Sequence, residues 1–330
     1  MAARGDRGGE FELIARYFAP LAAKAPLAFG LTDDAAVLRA VAGQDLILTT
    51  DTIIAGVHFL PEDPPQAIAQ KLLRVNLSDL AAKGAKPRGY LLNCSFPRDI
   101  SEDWIASFAA GLAADQAEFG IVLHGGDTTA TPGPLTLSAT AIGELPRGTM
   151  IRRKGAKVGD GVWVSGNIGD AGLGLRLLKG EDLGLSDTLA KSCIEHFRLP
   201  KPRLGLGLKL RGVAHGCLDI SDGLAADLEH MCAVSGVGAE ILADGVPLSA
   251  AARRAIAAGH IQIGDLLTAG DDYELIFAIG AKDEPKLARV ANATGVKITK
   301  IGRITRERGV TARDGQGQAL ALDRKGYTHF

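Results

Sequence analysis

Long apolar runs are missing from this chain of 330 residues: no stretch reaches the ~18 apolar residues that a membrane-crossing helix needs. Surplus charge is missing as well. Lys and Arg number 37 against 38 Asp and Glu, so no basic excess exists to condense on nucleic acid or on an anionic membrane. Cysteine is scarce. Cys94, Cys193, Cys217 and Cys232 show no CxxC or CxH spacing and read as free core thiols in a reducing compartment rather than as ligands. Glu10 and Glu12 stand where a signal peptide would need an apolar core. These features predict a cytoplasmic protein that binds neither membrane nor nucleic acid.

The common signatures of nucleotide and hydrolytic chemistry are absent too. There is no GxxxxGK[ST] phosphate loop, no HRD or DFG kinase motif, and no GxSxG to pair with any of the histidines. An EF-hand counted from Asp219 fails, because Gly223 stands at position 5 and Leu224 at position 6, where glycine is required.

What remains is an ordinary globular composition, 46% hydrophobic and 23% charged, long enough for two domains. Apolar spacing predicts an amphipathic helix over 10–21, with Phe11, Ile14, Ala15 and Phe18 on one face. A buried strand is predicted over 45–52, a helix over 66–85, a strand over 88–96 and a helix over 101–120. The last of these has Ser101 as N-cap, acids in its first turn and Gly120 as its stop. Strands over 121–129 and 134–145 complete a first α/β half whose sheet is covered. The Gly-, Pro- and cation-rich stretch 146–161 marks a boundary, giving domains 1–148 and 149–330. The second half mixes strands over 161–166, 216–221, 238–242, 273–280 and 296–304 with a helix entered from the Gly-rich NIGDAGLG (167–174) and helices over 222–234, 248–258 and 282–293. The glycines of 166–174 could present backbone N–H groups to a phosphate, although close helix packing explains them equally well.

Acids crowd into short motifs: LTDDAAVL (31–38), LTTDT (48–52), NLSDL (76–80), GGDTT (125–129), LDISDGL (218–224) and AGDDYEL (269–275). Taken singly, several have plain structural readings. Asp33-Asp34 could cap a helix, Asp79 could be a solvated helical acid on the face of Asn76, and Asp127 could be a turn residue. Asp222 could cap the helix that follows it, and Asp271-Asp272 could begin a strand. Asp51 is harder to explain so, because acids are depleted in apolar β-runs. Their coincidence points instead to hard oxygen ligands for Mg²⁺, Mn²⁺ or Ca²⁺, assembled by folding, with the ions holding phosphates.

Together with GEFELIARYF, DTIIAGVHF, RRKGAKVGD and the terminal KGYTHF, these motifs resemble in order and spacing the thiamine-monophosphate kinase family, from about residue 9 to the C-terminus. The resemblance implies a two-domain α/β (α+β) fold of the aminoimidazole ribonucleotide synthetase-like type. Its N-terminal α/β domain binds ATP and Mg²⁺ and pairs its sheet across a homodimer; its C-terminal α+β domain closes the active site. It implies direct γ-phosphoryl transfer from ATP to thiamine monophosphate, assisted by several Mg²⁺ ions, with a K⁺ requirement left open and no protein nucleophile. By motif, Asp34, Thr49, Thr50, Asp51, Asp79, Asp127, Asp219 and Asp222 would hold metal. Gly126, Asp127, Arg153 and Ser221 would contact ATP, while His58, Asp271 and Arg324 would contact thiamine monophosphate. Three positions depart from the family pattern: Thr32 replaces a glycine, Asp271 a glutamate, and Arg324 an aromatic whose stacking either the arginine plane or Tyr327 would supply. Two rival readings are a synthetase of the wider superfamily and a non-catalytic Mg-nucleotide-binding regulator.

Overall fold

The computed structural model describes residues 9–322 with Gly326 and Tyr327. Arg324 and most of the terminal KGYTHF motif therefore lie outside the described residues. The chain forms two compact units, one reaching to Leu80 and including Lys86–Gly148, the other comprising Ala81–Ala85 and Thr149 onward.

The first unit does not begin with one continuous helix. The segment starts as α1 (Glu10–Leu13), widens into a π turn over Ile14–Phe18 and tightens into a 3₁₀ turn over Ala19–Ala22. Pro20 lies within that last turn, and a proline interrupts α-helical hydrogen bonding. The changed winding rotates the expected face, so Phe18 is buried while Phe11 is 83% exposed. Four strands follow: β1 (Gln44–Ile54), β2 (Lys86–Pro97), β3 (Leu123–Thr131) and β4 (Thr136–Pro146). They form one sheet in the order β1-β4-β2-β3, antiparallel except for the parallel β2–β3 pair.

Two helices, α2 (Pro65–Lys83) and α3 (Glu102–Phe119), pack together through Gly111, whose missing side chain admits the Gln66 backbone. Arg74 of α2 and Asp115 of α3 form a buried bidentate pair with both N–O distances 2.8 Å. Ser101 accepts from the Trp104 N–H at 3.1 Å and Gly120 ends α3 in the left-handed conformation, as the sequence predicts. Tyr90, Leu92, Cys94, Leu137, Ala139 and Ala141 are buried on one face of the sheet. The other face is not covered as expected. Leu46, Leu48 and Leu91 are exposed, Leu48 at 67%, because β1 alternates rather than being buried on both sides.

Among its described residues the second unit holds six strands: β5 (Gly161–Ser165), β6 (Ala214–Asp219), β7 (Gly238–Leu242), β8 (Leu275–Ile279), β9 (Ile298–Thr305) and β10 (Gly309–Arg313). Their order is β10-β7-β9-β5-β8-β6, antiparallel apart from the parallel β10–β7 edge pair. Around it lie α4 (Asp170–Leu178), α5 (Asp187–Arg198), α6 (Leu204–Leu210), α7 (Leu224–Ser235), α8 (Ala250–Ala257), α9 (Ile263–Thr268) and α10 (Leu287–Thr294). The last helix starts later than predicted because Pro285 sits in a 3₁₀ turn over Glu284–Lys286. One core cluster joins Val162, Val164, Leu218, Ile220, Leu224, Leu228, Ile276 and Ile301, and so packs α7 against the sheet. Each such side chain, fully buried, contributes about 1.5–3 kcal/mol. All four cysteines are free and buried. No described helix is long and apolar enough to cross a membrane.

Candidate active site

In the first unit the acidic motifs separate into two groups. Asp34, Gly126 and Asp127 line a cleft of about 580 Å³ together with Asp33, Asn93 and His124. Asp33-Asp34 does not cap a helix. The pair follows a 3₁₀ segment over Pro26–Leu31 with Thr32 as its C-cap, and Asp33 Oδ1 accepts the Asp34 N–H at 2.8 Å. Asp127 stands in β3 opposite Asn93 of β2, so sheet register rather than a turn holds it at the cleft. His124, two residues before Gly126, is pushed below its ordinary pKa by burial and by the Arg88 cation.

The second group is Thr49, Asp51 and Asp79. Strand alternation puts Thr49 and Asp51 on one face of β1, where the Thr49 hydroxyl donates to the Asp79 carboxylate from α2. One turn earlier on α2, the fully buried Asn76 has a side-chain oxygen with no hydrogen-bond partner among the described residues. Thr50 is not brought to this group. Its side chain points to the opposite face and donates to the Ala139 carbonyl at 3.1 Å. Beyond β1, His58 Nδ1 accepts the Ile54 N–H at 3.1 Å, which leaves the proton of the neutral ring on Nε2.

In the second unit, Asp219 ends β6 and Ser221 and Asp222 occupy the turn before α7. Asp222 does not cap that helix. The group that organises the turn is Asp227, whose Oδ2 accepts the N–H groups of Ser221, Asp222 and Gly223 at 3.0, 3.0 and 3.2 Å. Burial pushes Asp227 up to about 7, and the charges of Asp219 and Asp222 add to the rise. Ligand atoms of Asp222, Asp227 and His230 lie within 4.8 Å of one another. The segment carrying Arg153 is strapped to β6, with the Cys217 N–H donating to the Arg152 carbonyl at 3.0 Å. Arg153 itself is exposed.

Asp271-Asp272 does not begin a strand; β8 starts at Leu275, and Asp271 and Tyr273 both have positive φ, 67° and 49°. Asp272 is fully buried and takes the Gly169 N–H at 2.7 Å. It accepts the Ala171 N–H at 3.4 Å as well. The glycine-rich start of α4 is thus filled by the protein's own carboxylate, and the phosphate reading of 166–174 falls. Burial holds Asp272 well above the ordinary carboxylate range, although the Gly169 N–H works in the opposite direction. Glu274 is gripped by Arg203, with Nε to Oε2 at 2.7 Å, and also accepts from Ser165. Asp227, Asp272 and Glu274 were missed as organising groups by sequence reasoning. Only the spacing of Asp227 after Asp222, one helical turn beyond Gly223, carried a trace of its role.

Residues 32–145 match the family model of the AIR synthase related protein, N-terminal domain, and residues 157–315 that of its C-terminal domain. A curated relative, the thiamine-monophosphate kinase of Caulobacter vibrioides, is 41% identical over 97% of this chain and 90% of its own length. The chain belongs to the thiamine-monophosphate kinase family. Among solved thiamine-monophosphate kinases, that of Stenotrophomonas maltophilia K279a superimposes with a TM-score of 0.81 at 41% identity, covering 94% of this chain and 98% of that one. AaThiL complexed with AMPPCP and TMP superimposes with a TM-score of 0.78 at 30% identity, covering 98% and 97%.

Proposed function

We propose that this chain transfers the γ-phosphoryl group of ATP to thiamine monophosphate, yielding ADP and thiamine diphosphate. The observation that carries the reading is the full-length likeness to thiamine-monophosphate kinases, one of them complexed with AMPPCP and TMP. A phosphate oxygen of thiamine monophosphate forms the new P–O bond as the bond from the γ-phosphorus to the β,γ-bridging oxygen breaks. ADP leaves with that electron pair, and no protein nucleophile takes part.

The donor set fits Mg²⁺. It consists of carboxylate and hydroxyl oxygens, and the buried Asn76 oxygen beside Asp79 has no partner among the described residues. Asp34, Thr49, Asp51, Asp79, Asp127, Asp219 and Asp222 would hold the metal. Thr50 leaves the side-chain set because its hydroxyl faces Ala139. Bound Mg²⁺ supplies charge neutralisation at the transferring phosphoryl group. The chain's own part is positioning. Gly126 brings backbone close to the nucleotide, Arg153 offset phosphate charge and the Ser221 hydroxyl donates to a phosphate oxygen. His58, through Nε2–H, and Asp271 orient thiamine monophosphate, and Arg324 is assigned to the thiamine end.

Further support bears on assembly and location. The exposed Leu46, Leu48 and Leu91 lie on one sheet face and suit a homodimer that buries it. Four free buried thiols suit the reducing cytoplasm.

Thermal unfolding tests the reading. Mg²⁺ with a non-hydrolysable ATP analogue should raise Tm by more than the sum of their separate shifts, and thiamine monophosphate should raise it where thiamine does not. The same titration with and without K⁺ decides the monovalent requirement. Additive metal and nucleotide shifts, or equal response to thiamine and its monophosphate, would count against the assignment.

A further inference from the structure

Asp227 is 3% exposed and sits in the first turn of α7, yet its bonds run backwards out of the helix. One oxygen, Oδ2, collects the amides of Ser221, Asp222 and Gly223. An ordinary capping acid serves the open N–H groups of the helix end itself. Here the three amides belong to the turn before the helix, and Gly223 at the N-cap has no side chain to offer. The wrap needs Gly223 at φ 123°, and a Cβ there would stand 2.8 Å from the Thr268 carbonyl oxygen.

Two consequences follow. A helix start after a glycine-containing turn commonly offers its amides to an anion. Here those of 221–223 are already held by the Asp227 carboxylate, so a phosphate cannot use this turn as a backbone cradle. With the backbone drawn inward, the turn has the Ser221 hydroxyl and the Asp222 carboxylate left to present, and their placement is set by where Asp227 holds their amides.

We propose that Asp227 is a positioning residue for metal–nucleotide binding: by holding the amides of 221–223 it fixes the Ser221 hydroxyl and the Asp222 carboxylate at the positions that receive Mg-ATP. This rests on the kinase reading for the roles of Ser221 and Asp222. Asp227 acts through geometry, as an acceptor, rather than as a ligand.

Two full-length variants separate these roles. Asp227→Asn keeps an oxygen at the acceptor position and loses the charge; Asp227→Glu keeps the charge and pushes the oxygen out by one methylene. For each, calorimetry gives the affinity for a non-hydrolysable ATP analogue with Mg²⁺, and steady-state kinetics gives KM for Mg-ATP and for thiamine monophosphate. The expected result is near wild-type behaviour for Asp227→Asn. For Asp227→Glu, analogue affinity falls and KM for Mg-ATP rises by about tenfold, while KM for thiamine monophosphate stays within about twofold. Loss of analogue affinity in Asp227→Asn with retention in Asp227→Glu would make Asp227 a ligand and overturn the proposal. A change confined to Tm in both variants would reduce it to a fold-stabilising group, and an equal shift in both KM values would also overturn it. Analogue binding needs no turnover. A wild-type protein that makes no thiamine diphosphate, yet shows the Asn/Glu split in binding, would remove the kinase reading and leave the positioning role standing.

Discussion

The main-chain N–H of Asp271 donates to the carbonyl oxygen of Ser221 at 2.9 Å. Two further bonds extend the ladder, Tyr273 N–H to the Ile220 carbonyl and Ile220 N–H to the Glu274 carbonyl, both 2.8 Å. The residue assigned to thiamine monophosphate and the residue assigned to ATP are therefore parts of one backbone unit. A shift in either strand of this ladder moves the other.

Gly270 is where that coupling can be tested. A Cβ at this position would run into the Ser221 carbonyl oxygen, so the two segments approach more closely than any side chain permits. Gly270→Ala should force them apart, raising KM for both substrates and lowering kcat by about tenfold or more. Kinetics confined to one substrate would show that the ladder does not couple them.

Glu274 anchors the far end of the ladder, 2% exposed and bonded to Arg203 and Ser165. Glu274→Ala leaves the Arg203 guanidinium without this partner in a largely buried setting and should cost about 3–5 kcal/mol. Chemical denaturation reads the loss, and Glu274→Gln should recover part of it by still accepting from Ser165. A cost below about 1 kcal/mol for the alanine variant would mean that the pair contributes no more than an exposed one.

Asp127 and Asp222 are assigned to metal, and each stands close to other acids. Asp127→Asn and Asp222→Asn should each lower kcat by on the order of 100-fold or more, since the ligand itself rather than its support is lost. The metal-free fold should be unharmed, with Tm equal to or above wild type, because a repelling charge is removed. Parallel loss of Tm and activity would identify the carboxylates as structural.

Away from the site, Glu240 of β7 ties the edge of the second sheet to Arg313 of β10 and Arg303 of β9. The hydrogen bond from Arg313, helped by the charge of Arg303, holds its carboxyl below the ordinary value. A carboxylate whose folded pKa is depressed stabilises the fold above its unfolded value of about 4.3. That contribution disappears as pH falls through the lower folded value. The Tm advantage of wild type over Glu240→Gln should therefore be present at pH 7 and shrink below pH ~4; a constant difference across that range would exclude the ion pairs as its source.

Local rules made much of the fold legible in advance. Ser101 and Gly120 mark both ends of α3 by chemistry that needs no tertiary context, and β7 could be read from its apolar run alone. Elements defined by distant partners were not legible. The short β10 exists by pairing with β7 across more than 60 residues of chain, and the short α6 draws its stability from core contacts at Leu206 and Leu210. At the site, the acids stood out because clustered carboxylates are rare in apolar surroundings. The acids that organise them did not stand out: Asp272 in AGDDYEL looks no different from Asp271 until the fold buries one and turns the other to positive φ. Thr50 shows the converse, since a motif treats adjacent residues alike while a strand sends their side chains to opposite faces.

The central claim is phosphoryl transfer to thiamine monophosphate, and direct detection of the product tests it most closely. Purified protein is incubated with Mg²⁺, ATP and thiamine monophosphate, and thiamine diphosphate and ADP are separated and quantified. The account predicts equal amounts of both, dependent on Mg²⁺ and lost in Asp222→Asn. ADP formed without thiamine diphosphate, or no product with all three components present, would contradict it.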